Sequence, residues 1–340
     1  MRKFTLFALA LFAFLTVGCS KKSEKSENRT IAVFVPGICD DSPTYAMLVQ
    51  GVKKAVDDYN DGLSPVANED TQRIALFVME AGTNQAEWGQ KITALAAENK
   101  YDVIISSNPS LPDLVEPILQ KFPNQKFILL DASKKENPNI YTVCYNQYEA
   151  AYLTGYIGGL MSKNHKMGLI AAQEYPVMNN ILYPYFEKGG KAANPQTTVD
   201  FRVVGNWYDA TKGAEIADAL YKKGVDVLLP ICGGAAQGVI SSAVNNEIYV
   251  TWFDSNGFEK APGRIISSCT MEQALMAEKV TRDFLEGKTQ WGQADMVGVK
   301  DGFVKFIDDD ENYIKTVPAD IREKMSDLVG KIKSGEFSVK

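Results

Sequence analysis

Histidine is almost absent from this sequence: His165 is the only one among 340 residues. It sits in the polar stretch 162–166 (SKNHK) between two apolar segments, the setting of a solvated turn. A Ser-His-Asp or Cys-His constellation therefore has no suitable base to build on. The five cysteines form no C-x-x-C pair, which argues against a structural zinc site. Net charge is −6 with no basic cluster in the body, so nucleic acid is not an expected partner. G-x-G-x-x-G spacing and the G-K-[ST] of a P-loop are both missing. The one acidic block, residues 308–311 (DDDE), lacks the glycine and spacing of a calcium loop and reads as a solvated turn. These absences point away from a cofactor or a metal.

What is present begins at the N-terminus. Arg2 and Lys3 precede a nearly continuous apolar stretch, 4–17, closed by Gly18-Cys19. The stretch is too short to span a bilayer stably and has the three-part layout of a secretory signal. Later in the chain there is no apolar run of comparable length. A cysteine after a small residue resembles the bacterial lipobox, with Leu15 one position further from Cys19 than is usual. The expectation is a lipoprotein signal over 1–19 and a lipid anchor on Cys19. An ordinary signal or an uncleaved anchor would equally place the chain outside the cytoplasm. Residues 20–29 (SKKSEKSENR) hold no apolar side chain and should act as a flexible tether.

The body, from about residue 30, alternates short β-branched runs with helical patterns. Strands are expected at 31–35, 74–78, 103–106, 127–130 and 141–144, with helices after Ser42-Pro43, at 85–99 and at 111–121. The pattern restarts after a long helix at 147–161, whose Ala150, Ala151, Gly155, Gly158 and Gly159 suit close packing. Strands follow at 166–171, 199–204, 225–230, 248–253 and 264–268, with helices at 185–193, 211–222, 237–245 and 272–286. A strand near 296–299 and a helix near 319–334 end the chain. Such alternation implies parallel sheets with helices on both faces, here two doubly wound α/β lobes. The expected division is 30–145 plus about 256–290 for lobe 1, and 146–255 plus about 291–340 for lobe 2.

In such folds ligands bind at the carboxyl ends of strands. The first strand-end loop carries Asp40, Asp41, Thr44 and Tyr45 just before or within a helix N-terminus; capping alone would equally explain Asp40. The third strand leads to Asn108. The fourth ends in Asp131, a carboxylate that must be paired, solvated or turned to a ligand. In the second half, Trp207 at a strand end suits a binding platform. Gly233-Gly234 allows close backbone approach. Asp254 and Asn256 could grip hydroxyl groups or simply form a turn.

These loops, in this order, resemble the basic-membrane-protein family of substrate-binding lipoproteins of ABC importers, over essentially the whole body. The family's D-D-x-x-F-N…G is matched by Asp40-Asp41-Ser42-Pro43-Thr44-Tyr45 and Gly51. Its apolar strand ending in Asp is matched by Asp131, and its P-N-x-x-x-V and Y-L-x-G by Pro138-Asn139, Val143, Tyr152-Leu153 and Gly155. Its aromatic-x-D-x-x-K-G is matched by Trp207, Asp209 and Lys212-Gly213, its G-A-D-V-I by residues 224–228, and its glycine loop by Gly233-Gly234 and Gly238. Its D-x-D is matched in part by Asp254-Ser255-Asn256. The resemblance implies a periplasmic-binding-protein type I fold, no catalysis, and a base stacked between Tyr45 and Trp207. It also implies a monomer anchored at the cell membrane, facing the periplasm or exterior, with ABC permease and ATPase subunits as partners.

The chain departs from the nucleoside-binding pattern at three places. Phe-Asn becomes Thr44-Tyr45, the second aspartate becomes Asn256, and Cys269-Thr270-Met271 stands where a ribose-binding lysine is expected. These changes imply a neutral ligand with a different polyol tail. Riboflavin leads on that ground, with a purine nucleoside as the alternative and a chemosensory receptor of the same fold as a further reading. Closure would use hinges near 144–147, 254–257 and 285–295. An exported carboxylate-only hydrolase and an adhesive surface lipoprotein are the competing classes. Turnover would mark the first, and failure to bind any small molecule the second.

Overall fold

The computed structural model describes residues 29–40, 42–63 and 73–340. The expected signal, Cys19, Asp41 and nearly all of the expected tether lie outside the described residues.

The first lobe opens with β1 (Thr30–Val35), α1 (Pro43–Asp61), β2 (Ala75–Glu80) and α2 (Gln85–Ala97). It continues with β3 (Val103–Ser107), α3 (Leu111–Lys121), β4 (Phe127–Leu130) and β5 (Ile140–Tyr145). Next come α4 (Gln147–Met161), β6 (Lys166–Ala171), α5 (Tyr183–Ala193), β7 (Thr198–Val203), α6 (Ala210–Lys222) and β8 (Val227–Ile231). The remainder is α7 (Ala236–Asn245), β9 (Tyr249–Asp254), β10 (Ile265–Met271), α8 (Gln273–Leu285), β11 (Ala294–Val297), β12 (Val304–Phe306), α9 (Glu311–Thr316) and α10 (Ala319–Ser334).

The strands form two six-stranded sheets, ordered β11-β5-β4-β3-β1-β2 and β12-β10-β9-β8-β6-β7. Every pairing in the first is parallel. In the second only β12, beside β10, runs antiparallel. The inner strands β3, β4 and β8 are buried along their whole length, as strands covered on both faces must be. The edge strands β2 and β7 instead hold only half-buried and exposed residues.

The two sheets repeat one plan. Position by position, β4 corresponds to β9, β3 to β8, β1 to β6 and β5 to β10. The chain passes between lobes three times: from β5 into α4, from β10 into α8, and from β11 to β12. The division therefore differs from the one expected. Residues 265–271, expected in lobe 1, pair as β10 with β9 in the second sheet. Residues 294–297, expected in lobe 2, pair as β11 with β5 in the first. The first passage falls at the expected hinge, whereas the other two lie at 271–273 and 297–304 rather than at 254–257 and 285–295. The reason is the repeated plan: each lobe sends its fifth-position strand, β5 or β10, into a helix of the other.

Those passages are bound to one another. Tyr145 donates its hydroxyl to Gln273 Oε1 at 2.6 Å, both residues being buried. The Asn146 amide donates to the Val297 carbonyl at 2.7 Å, and the Glu272 amide to that of Phe303 at 3.0 Å. Val299 N–H donates to Glu149 Oε2 at 2.8 Å. The lobes thus hinge on a hydrogen-bonded bundle of three segments.

Close helix packing follows from the small residues. A Cβ on Gly155 would lie 2.0 Å from the Phe186 carbonyl oxygen, so α4 and α5 meet backbone to backbone. Gly155→Ala should lower stability by about 1–3 kcal/mol through overpacking. Gly330→Ala, in α10 with open space around the position, should leave it unchanged or raise it by about 0.4–1 kcal/mol. Urea denaturation of the two variants checks the contrast.

Candidate ligand-binding cleft

The carboxyl ends of both sheets supply the candidate residues. Asp131 follows β4 directly, and Asp254 is the last residue of β9, so the two hold equivalent places in the repeated plan. Each has a left-handed backbone, φ 51° at Asp131 and 70° at Asp254, a conformation that aspartate tolerates better than most residues. Each strand thus turns sharply at its end and leaves a carboxylate at the edge of its sheet.

Both carboxylates keep some contact with solvent, yet protein surrounds them closely, as on the floor of a cleft. Burial pushes Asp131 up to about 7; the charge of Asp254 adds to the rise, and a hydrogen bond from Gln147 opposes it. Burial pushes Asp254 up to about 7 as well. Gln147 Nε2 donates to Asp131 Oδ1 at 3.0 Å. Gln147 begins α4, directly after the first passage, so this bond joins the lobes beside the hinge.

Asp131 is the hub of a tyrosine-rich group. Its charge acts on Tyr45, Tyr145, Tyr175 and Cys144, each already raised chiefly by burial. Tyr45 stands in the first turn of α1. Its ring presses on Gly37, where a Cβ would lie 2.7 Å away, and its hydroxyl accepts a bond from Asn108 Nδ2 at 3.2 Å. Asn108 is itself fixed, accepting from Ser110 N–H at 2.9 Å and from its hydroxyl at 2.7 Å. Tyr208, from the second lobe and 66% exposed, also acts on Tyr45 across the gap. Thr44, beside Tyr45, is half-buried.

Trp207 is positioned from below and behind. Asn206 Oδ1 accepts the amides of Tyr208 and Asp209, both at 2.8 Å, and Asp209 Oδ1 caps α6 through Lys212 N–H at 2.8 Å. Gly233, at φ 57°, lies against the indole: a Cβ there would be 3.2 Å from the ring and 3.0 Å from the Trp207 carbonyl oxygen. Gly234 lies beside Tyr208, where a Cβ would be at ordinary contact distance, 3.7 Å from the ring. Gly233 thus seats the indole. Tyr175, from the loop after β6, tilts against Trp207 with ring centroids 6.4 Å apart at 41°.

Asn256 stands apart from this group. It is exposed, accepts the Phe258 amide at 3.1 Å and donates to Asp310 at 3.2 Å, which is the behaviour of a turn. Asp310 also caps α9, giving the acidic block a structural task. His165 is half-buried and hydrogen-bonded to Asn194 at 3.0 Å. Cys39, Cys144, Cys232 and Cys269 are unpaired, and no metal-binding cluster occurs among the described residues. An open groove beside α3, lined by Glu116, Lys134 and Asn137, carries no aromatic side chain and lies on the outer side of lobe 1.

Sequence reasoning did not single out Tyr175, Gln147, Tyr145 or Tyr208. Tyr175 was reachable, because residues 172–177 form a strand-end loop like the others considered. Gln147 and Tyr145 flank the first passage, where only spatial contact reveals their nearness to Asp131.

Two parallel-sheet lobes joined by three passages, with candidate side chains on facing strand ends, define a periplasmic-binding-protein type I fold. Solved structures agree on the fold. A transcriptional activator of the comK gene from Bacillus halodurans superposes with a TM-score of 0.72 at 20% identity, over 91% of this chain and 99% of that one. An ABC transporter solute-binding protein from Aeropyrum pernix gives 0.71 at 18%, over 91% and 92%. The chain belongs to the family of PnrA-like ABC transporter substrate-binding proteins, which matches residues 28–338. Basic membrane protein A1 of Borrelia garinii subsp. bavariensis is 25% identical over 98% of this chain and 95% of that protein. An ABC transporter nucleoside-binding protein of Lactococcus lactis subsp. cremoris is 29% identical over 44% of this chain and 42% of that one. The chain is thus a substrate-binding component of an ABC transporter and not an enzyme. Among the described residues no helix is long and apolar enough to cross a membrane.

The raised carboxyls make stability depend on pH. From the unfolded value of 3.8 up to about 7, the folded chain holds more protons than the unfolded one. Stability from this source therefore falls as pH rises through that window and levels off above it. Asp254→Asn should flatten the fall. The check is the difference in melting temperature between wild type and variant from about pH 4.5 to 7.5. Parallel profiles would contradict the assignment.

Proposed function

We propose that the cleft captures an uncharged purine nucleoside for delivery to a membrane permease driven by an ATPase. One observation carries the reading. Asp131 and Asp254 end strands of opposite sheets close enough for the charge of Asp254 to act on Asp131, and among the described residues no cation acts on either. Two acceptors so placed call for a ligand rich in hydrogen-bond donors, such as a base edge and sugar hydroxyls. A ligand phosphate would add negative charge to the same floor. The flat base would lie between Tyr45 and Trp207, whose offset aromatic contacts contribute about 0.5–1.5 kcal/mol each beyond buried area. Thr44, Asn108, Gly233 and Gly234 would frame it. The nucleoside-binding relative from Lactococcus supports placing the nucleoside first.

Riboflavin is the second reading, and a specific observation favours it: β10 reads IISSCTM and holds no lysine to grip a ribose. The chain would act as a monomer, held at the outer face of a membrane by lipid on Cys19, and would close about the three passages when loaded.

Denaturing the purified protein and analysing the released small molecules by mass tests the reading. A purine nucleoside is expected, a yellow flavin would select the second reading, and catalytic conversion of either would overturn both. In calorimetric titrations Trp207→Ala should weaken binding by about tenfold or more. Unchanged affinity would mean that the indole is structural only.

A further inference from the structure

Tyr175 has no assigned role, yet three independent features converge on it. Its place is the first. The loop at 172–177 follows β6, which corresponds in the repeated plan to β1, the strand that leads to Tyr45. Each lobe therefore sends a tyrosine into the gap from the same sheet position. Its surroundings are the second. The ring packs on Trp207 at 6.4 Å, extending the aromatic wall of the second lobe. The phenol lies within the field of both Asp254, from its own lobe, and Asp131, from the other. Its freedom is the third. The half-buried phenol makes no side-chain hydrogen bond among the described residues; only burial and the two charges act on it. By contrast, the Tyr45 hydroxyl is bonded to Asn108 and that of Tyr145 to Gln273.

Burial and the two carboxylates hold the phenol well above its ordinary value, so it stays protonated. It is a donor set beside two acceptors. The residue is half-buried and its hydroxyl is not among the buried atoms left without a partner, so the phenol is free to donate to a molecule that enters the gap. We propose that Tyr175 is a specificity-determining ligand contact, donating its phenol proton in a hydrogen bond to a ring or carbonyl acceptor of the bound heterocycle while its ring widens the stacking wall. This rests on the nucleoside reading and adds a requirement to it: the ligand must present an acceptor between the donors that Asp131 and Asp254 receive.

The test compares wild type, Tyr175→Phe and Tyr183→Phe, titrated with guanosine and riboflavin by calorimetry, with melting temperatures measured alongside. Tyr183 stacks on Phe201 at 5.0 Å and serves as the control. Tyr175→Phe keeps the ring and should lower affinity about three- to tenfold with an unchanged melting temperature, whereas Tyr183→Phe should bind as wild type does. A second measurement needs no variant. Hydroxyl-radical footprinting read by mass spectrometry should show Tyr175 protected by saturating guanosine while Tyr221, 42% exposed on α6, stays reactive. Wild-type affinity in Tyr175→Phe, or unprotected Tyr175 in the loaded protein, overturns the inference alone. A wild type that binds neither compound overturns the proposed function, and this inference with it.

Discussion

Two aspartates held close together with no counter-ion are unfavourable in a folded protein, because burial and mutual repulsion both disfavour the charged forms. The repeated plan of the two sheets nevertheless brings Asp131 and Asp254 to facing strand ends, each in a left-handed turn. The arrangement makes sense if a partner rich in donors enters the gap. Gln147 bonds to Asp131, and Tyr175, within the field of both carboxylates, packs on Trp207. The carboxylate pair is thus assembled from both lobes.

The three passages hold the two lobes together. Tyr145 and Gln273 tie the first passage to the second deep in the protein, and Asn146 and Glu149 tie the first to the third. Apolar contact runs on from the first sheet through Tyr145 and α4 into the second lobe, so the hinge is packed as well as hydrogen-bonded. Gln147 sits one residue beyond this bundle and bonds directly to Asp131. A change in the charge or partners of Asp131 is thus felt at the hinge through a single side chain. If the lobes close on a ligand, this bond would be a physical route linking capture to closure.

Much of this was legible in the sequence. The boundaries of α3, β4, α4, β6 and α10 follow from apolar periodicity, turn residues and prolines, and they match the expectation residue for residue. Asp131 and Asp254 stood out as acids closing apolar runs, and Trp207 as an aromatic at a strand end. The lobe assignment of β10 and β11 was not legible, because pairing partners distant in sequence decide which sheet a short strand joins. The same holds for β12, three residues long and set beside β10. Asn256 read as a ligand group from its spacing, but its bonds to Phe258 and Asp310 spend its amide on the local turn. Tyr175 was within reach as part of the strand-end loop after β6, whereas its nearness to carboxylates on distant strands was not.

If Asp131 and Asp254 together receive the donors of an uncharged ligand, binding must shift their ionisation. Calorimetric binding at pH 7 in buffers of different ionisation enthalpy measures it most directly, since the protons exchanged on binding are read from the dependence of the heat on buffer. Donors from the ligand favour the ionised carboxylates, so the account predicts net proton release that shrinks when either aspartate is replaced by asparagine. Binding heats that do not vary with buffer in the wild type would contradict it.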